Sequence, residues 1–94
     1  MFVLVTYDVS TVDKAGARRL RRVAQACEDY GQRVQKSVFE CQLDQRGWVL
    51  LKSRLLREID DTADSLRFYF LEIDTAIQHY GINKPRDFSE PLVF

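Results

Sequence analysis

Asp8 is the residue best placed to do chemistry. It closes an apolar run, Val3-Leu4-Val5-Thr6-Tyr7-Asp8, that begins almost at the N-terminus. An acid at the carboxyl end of a buried strand is held rigidly by the sheet and left open to solvent by the loop that follows. Directly after it come Lys14, Arg18, Arg19, Arg21 and Arg22. A hard oxygen donor beside a row of cations suits a divalent ion and phosphate groups. Mg²⁺ in particular takes one or two carboxylates and completes its shell with water and substrate oxygens. The pattern predicts a small nucleic-acid protein built around Asp8, with a metal. The plain alternative is that Asp8 caps the loop after it, as aspartate often does.

The rest of the chain bounds what such a protein can be. Its 94 residues make one domain. A chain this short buries only about 60–65% of the surface its unfolded form exposes, so a dimer is expected on stability grounds. Hydrophobic content of 46% with 12% aromatics excludes disorder. No run of about 18 apolar residues predicts a membrane span. The opening MFVLVTYD has no basic leader and reaches an acid at position 8, unlike a signal peptide. Cys27 and Cys41 lack metal-ligand spacing and are read as free thiols of a reducing cytoplasm. Net charge is zero, but its distribution is uneven. Residues 14–36 carry seven basic side chains against two acidic ones, and residues 58–74 carry one against six. A basic end attracts phosphates even on a neutral molecule; a salt-bridged solvent surface is the competing account.

The elements that must position Asp8 follow from periodicity. Residues 2–8 form a strand. Asp13 is the preferred N-cap of a helix whose apolar stripe is Leu20, Val23, Ala24 and Cys27, at the i, i+3, i+4, i+7 spacing. Gly31 is the expected left-handed residue after that helix. Residues 33–43 form a second strand, with Ser37, Phe39, Cys41 and Leu43 on one face and Val34 and Val38 on the other. The change of phase at Ser37-Val38 suggests a bend. Asp44 caps a second helix with Trp48, Leu51, Leu55, Leu56 and Ile59 as its stripe. Residues 60–64 form a polar loop, 65–71 a third strand, and 76–80 a short fourth strand. The pattern is α+β, with both helices on one face of the sheet. If 33–43 splits in two, the order becomes the β-α-β-β-α-β of a ferredoxin-like sandwich with a four-stranded antiparallel sheet. Residues 1–81 are taken as this domain. Residues 82–94, held extended by Pro85 and Pro91 and ending in Leu92-Val93-Phe94, are read as a tail. It docks as an extra edge strand on a partner subunit or on its own sheet.

Several of these segments together resemble the CRISPR-associated protein 2 family. They are Val3-Leu4-Val5-Thr6-Tyr7-Asp8-Val9, the basic helix around Arg18 to Arg22, Arg33-Val34-Gln35-Lys36-Ser37-Val38-Phe39-Glu40 and Asp64-Ser65-Leu66-Arg67-Phe68-Tyr69. The match runs through nearly the whole chain in order. The resemblance implies a ferredoxin-like homodimer that works in the acquisition of CRISPR spacers beside the integrase, CRISPR-associated protein 1. It also implies metal-dependent nuclease activity on RNA or double-stranded DNA. Asp8 matches the family's metal-binding acid. Tyr7, Arg18, Arg22, Arg33 and Phe39 fall at or near positions linked to catalysis. The cysteines are not family hallmarks.

The chemistry implied is compatible with a sparse site. One carboxylate holds Mg²⁺ (or Mn²⁺) weakly, so Asp8 from each subunit would flank one ion shared across the dimer. Arg18, Arg22 or Arg33 could steady the extra charge on a phosphate under attack. Lys14, Arg18, Arg19 and Arg22 form the expected nucleic-acid contact, through the phosphate backbone; a solvated helix face is the ordinary alternative. Tyr7 could orient a phosphate or stack on a base, and Phe39 could stack, though core or interface packing is commoner for both. His79 is read as structural, and Ser37 has no nucleophilic role. Two functions stay open: a Mg²⁺-dependent phosphodiesterase, and a non-catalytic scaffold that bridges integrase subunits and lays its basic helices along duplex DNA. A ferredoxin-like regulatory or RNA-binding module is a third, without an aromatic-glycine RNA motif to support it.

Overall fold

The computed structural model describes residues 1–82. The chain forms β1 (Phe2–Asp8), α1 (Lys14–Tyr30), β2 (Gln32–Gln35), β3 (Val38–Gln42), α2 (Gln45–Glu58) and β4 (Ser65–Leu71). The sheet runs β2-β3-β1-β4, and every neighbouring pair is antiparallel. This is the ferredoxin-like order, because the single apolar segment at 33–43 does divide. Lys36 and Ser37 make the turn between β2 and β3, and the pairing shifts register between Arg33 and Gln35.

Period two in β1 sorts its side chains from Val3 to Asp8, while Phe2, on the second face, is buried as well. Val3, Val5 and Tyr7 are buried under the helices, with Phe39 and Cys41 of β3 beside them. From above, α1 contributes Val23, Ala26 and Cys27, and α2 contributes Leu51 and Leu55. Leu4, Thr6 and Asp8 face the other way. Their register partners Tyr69, Arg67 and Ser65 on β4 share that second face, which no helix covers. Both predicted N-caps form: Asp13 Oδ1 accepts from the Gly16 amide at 2.8 Å, and Asp44 Oδ1 from the Gly47 amide at 2.7 Å. Each satisfies one of the helix's orphan donors.

Three expectations are corrected. Gly31 is not left-handed; its φ of −158° is extended backbone open to any residue. Glycine is required there for space, since a Cβ would overlap Cys41 Sγ and stand 2.6 Å from the Glu40 carbonyl oxygen. The strand expected at 76–80 does not form. That segment finds no ladder partner among the described residues, and Ile77 and Tyr80 remain 50% and 84% exposed. His79 therefore sits in irregular exposed chain, where its Nε2 lies 3.1 Å from the Gly81 carbonyl oxygen. Finally, Leu56 faces solvent rather than the core, whereas Ile59, the C-cap of α2, packs against the core with Trp48, Leu51 and Leu55. The docking tail expected over 82–94 lies, apart from Ile82, outside the described residues.

Candidate functional site

Asp8 is the last residue of β1, exposed, and paired in register with Ser65 of β4. It enters none of the ion pairs among the described residues. These join Arg19 to Asp64, Arg22 to Glu58, Arg33 to Glu28 and Arg54 to Asp29. Its carboxylate is thus free to take a hard cation, and the donor chemistry fits Mg²⁺ or Mn²⁺. Among the described residues no group of three or more His, Cys, Asp and Glu side chains could hold a metal. One protomer therefore offers a partial site.

Tyr7 is adjacent in sequence but on the opposite face, 6% exposed. Its hydroxyl donates to the Lys36 carbonyl oxygen at 3.3 Å. Burial pushes its ionisation upward, against the pull of the nearby Arg33 guanidinium. The Tyr7 and Phe39 rings stack with centroids 6.2 Å apart and planes 24° apart. Phe39 has no exposed surface. The Arg33 guanidinium lies 5.1 Å from the Phe39 centroid, and its Nη2 is 3.4 Å from Glu28 Oε1. Tyr7, Arg33 and Phe39 therefore form one column on the helix side of the sheet, away from Asp8. Fully enclosed, Phe39 has no ring face to offer a base.

The basic helix divides by function. Lys14, Arg18 and Arg21 are exposed and enter none of the four ion pairs. Arg22 reaches Glu58 only loosely, at 3.7 Å, with its own side chain 64% exposed. These four make a cationic helix surface. Arg19 is different. Its Nε and Nη2 grip Asp64 at 2.9 and 3.2 Å, so its charge is committed to a carboxylate with no exposed surface. Of the expected contact residues it is the one whose charge is matched within the fold. The acidic stretch and the basic helix are also not at opposite ends: Asp64 and Glu58 of the first meet Arg19 and Arg22 of the second.

Asp64, expected only as part of a polar loop, is the hub of a hydrogen-bond cluster. It accepts four hydrogen bonds: two from Arg19, one from the Ser10 amide at 3.0 Å and one from the Asp60 amide at 2.9 Å. The Arg19 fork, foremost, holds its carboxyl down to about 2. A buried acid in a loop between charged neighbours leaves no periodic signal; only the run Asp64-Ser65-Leu66-Arg67 flagged it. The thiols take no part. Burial pushes Cys27 up to about 12 and Cys41 up to about 11, so neither offers a thiolate.

The chain is a ferredoxin-like α+β domain with an exposed acid at the end of its first strand and a cationic surface on α1. The sequence model described as CRISPR associated protein Cas2 matches residues 1–76, and the chain belongs to that family. It is 55% identical to the CRISPR-associated endoribonuclease Cas2 of Chlorobaculum tepidum, over 99% of both chains. It is 48% identical to the CRISPR-associated endonuclease Cas2 of Halalkalibacterium halodurans, over the whole of both. The fold matches the crystal structure of Streptococcus pyogenes Cas2 at pH 6.5 with a TM-score of 0.73 and 55% identity, covering 79% of this chain and 89% of that one.

Proposed function

We propose that this chain is a cytoplasmic spacer-acquisition protein, a homodimer that binds duplex DNA along α1 and bridges subunits of the CRISPR-associated protein 1 integrase. Its Asp8 pair would also cut phosphodiesters with one shared Mg²⁺ or Mn²⁺. The observation that carries the catalytic part is Asp8 itself, an exposed carboxylate that enters no ion pair among the described residues, on the sheet face that no helix covers. Relatives named endoribonuclease and endonuclease support it. A homodimer is supported by that same helix-free face, where Tyr69 is 42% exposed between Leu71 and Arg67. Pairing two such faces removes apolar surface from water and brings two Asp8 side chains toward one axis.

When bound, a divalent cation supplies positive charge to a phosphoryl oxygen and acidifies a coordinated water. The two Asp8 carboxylates would hold that ion. Lys14, Arg18, Arg21 and Arg22 draw in the phosphate backbone and neutralise its charge. RNA and duplex DNA both present that backbone, so these side chains select charge before base.

The decisive test is cleavage of RNA and duplex DNA with Mg²⁺ or EDTA, comparing wild type with Asp8→Asn. The expected result is metal-dependent cleavage lost in Asp8→Asn with DNA binding kept. Cleavage that survives the substitution would refute an Asp8 centre. Absence of cleavage in both proteins, with DNA binding and spacer integration intact, would leave the scaffold as the whole function.

A further inference from the structure

The short crossover between β1 and α1 is pinned from two sides at Ser10. Its amide donates to Asp64 Oδ1 at 3.0 Å. Its carbonyl lies against the first turn of α1, where Gly16 has no side chain and a Cβ would overlap Ser10 O. Asp64 is itself held by the Arg19 fork and by the Asp60 amide. These contacts tie together α1, the β1–α1 crossover and the loop leading into β4. They meet two residues beyond Asp8 and one residue before Ser65, its register partner.

Resting on the proposed Asp8 centre, we infer that Asp64, Arg19 and Gly16 are positioning residues for Asp8: they lock the crossover so that its carboxylate is presented at a fixed place on the uncovered face. None of the three reaches the substrate or the ion. The physical case is that a strand-end residue frays unless the chain after it is anchored. Here the anchor is a charge-assisted fork, stronger than neutral hydrogen bonds. Gly16 explains why a helix tolerates its poorest ordinary residue in the first turn: the crossover occupies the space a Cβ would need. Outer contacts that orient a metal ligand typically govern affinity about 10–100-fold.

The test measures order in the intact dimer by backbone ¹⁵N relaxation, with Mn²⁺ titration as a second readout. In the wild type, the amides of residues 9–11 are expected to be rigid, with order parameters near ~0.85, and in Asp64→Ala and Gly16→Ala to fall toward ~0.6. Residues 3–7 stay rigid in all three. Gly16→Ala separates anchoring from helix stability, because alanine favours the helix while displacing Ser10. Leu55→Ala, a core change that removes none of the hydrogen bonds at Ser10 or Asp64, serves as the matched loss of stability and leaves residues 9–11 rigid. Asp64→Ala is expected to weaken Mn²⁺ binding about tenfold, and Leu55→Ala to leave it unchanged. The inference is overturned if residues 9–11 stay rigid in Asp64→Ala and Gly16→Ala, or if Leu55→Ala loosens them equally. It is also overturned if Asp64→Ala binds Mn²⁺ as wild type does. Wild type that binds no Mn²⁺ would refute the metal centre instead, while the relaxation data still decide the lock.

Discussion

Asp64 shows how one enclosed carboxylate can tie three segments of a chain together. Its carboxyl sits at about 2 rather than the ordinary 3.8 because the folded chain favours the charged form. A depressed folded value means that its stabilisation is present above about pH 4 and is lost as pH falls from there toward pH 2. Asp64→Asn should therefore be less stable than wild type at pH 7, with the gap closing in acid; urea midpoints taken between pH 7 and pH 2 measure this. Phe39 makes the opposite point. Its type invites base stacking, yet it is enclosed between Tyr7 and the Arg33 guanidinium. Phe39→Ala is expected to cost about 3–5 kcal/mol of folding free energy by opening a cavity, read as a lowered urea midpoint. A folded, fully stable Phe39→Ala protein that had lost only activity would contradict that assignment.

Among the elements, those with strong local signals were legible. The caps at Asp13 and Asp44 are local hydrogen bonds, and the α1 stripe through Val23 and Cys27 is local geometry. The phase change at Ser37-Val38 marked the β2–β3 turn, since a strand cannot reverse which face it buries without bending. What misled was local pattern without a partner. Ala76 to Tyr80 has strand composition, but a strand forms only where a neighbour accepts its hydrogen bonds. Gly31 likewise follows the helix where a left-handed cap is common, while its actual constraint comes from β3, ten residues on. Gly31→Ala should destabilise the fold by about 1–3 kcal/mol through overpacking against Cys41, measured by thermal unfolding. A left-handed cap would instead have been rescued by Asn, which the extended φ and the crowding by β3 do not allow.

For the molecule as a whole, charge placement is the consequential feature. The zero net charge hides a helix on which some cations are paired and others free. Arg18→Ala and Arg21→Ala are each expected to lower the slope of log binding constant against log salt by about one. Arg19→Ala should chiefly reduce folding stability. Fluorescence anisotropy on duplex DNA across a salt series, beside a thermal melt, separates the two behaviours. The uncovered sheet face carries the expectation of a homodimer, checked by sedimentation over a concentration range; a monomer throughout would remove the second Asp8 and with it the shared ion.

Residue order alone was enough for the α+β class, the strand ending in Asp8, both helix starts and the basic character of α1, because each depends on neighbours within a few positions along the chain. Folding was needed to show that Tyr7 and Asp8 occupy opposite faces of one sheet and that Arg19 is paired with Asp64 rather than presented openly on α1. It was also needed to show that Gly16 and Gly31 are there for room. Those facts arise from contacts between segments distant in sequence, from Ser10 with Asp64 to Tyr7 with Phe39, and no periodicity encodes which distant partner a side chain will meet.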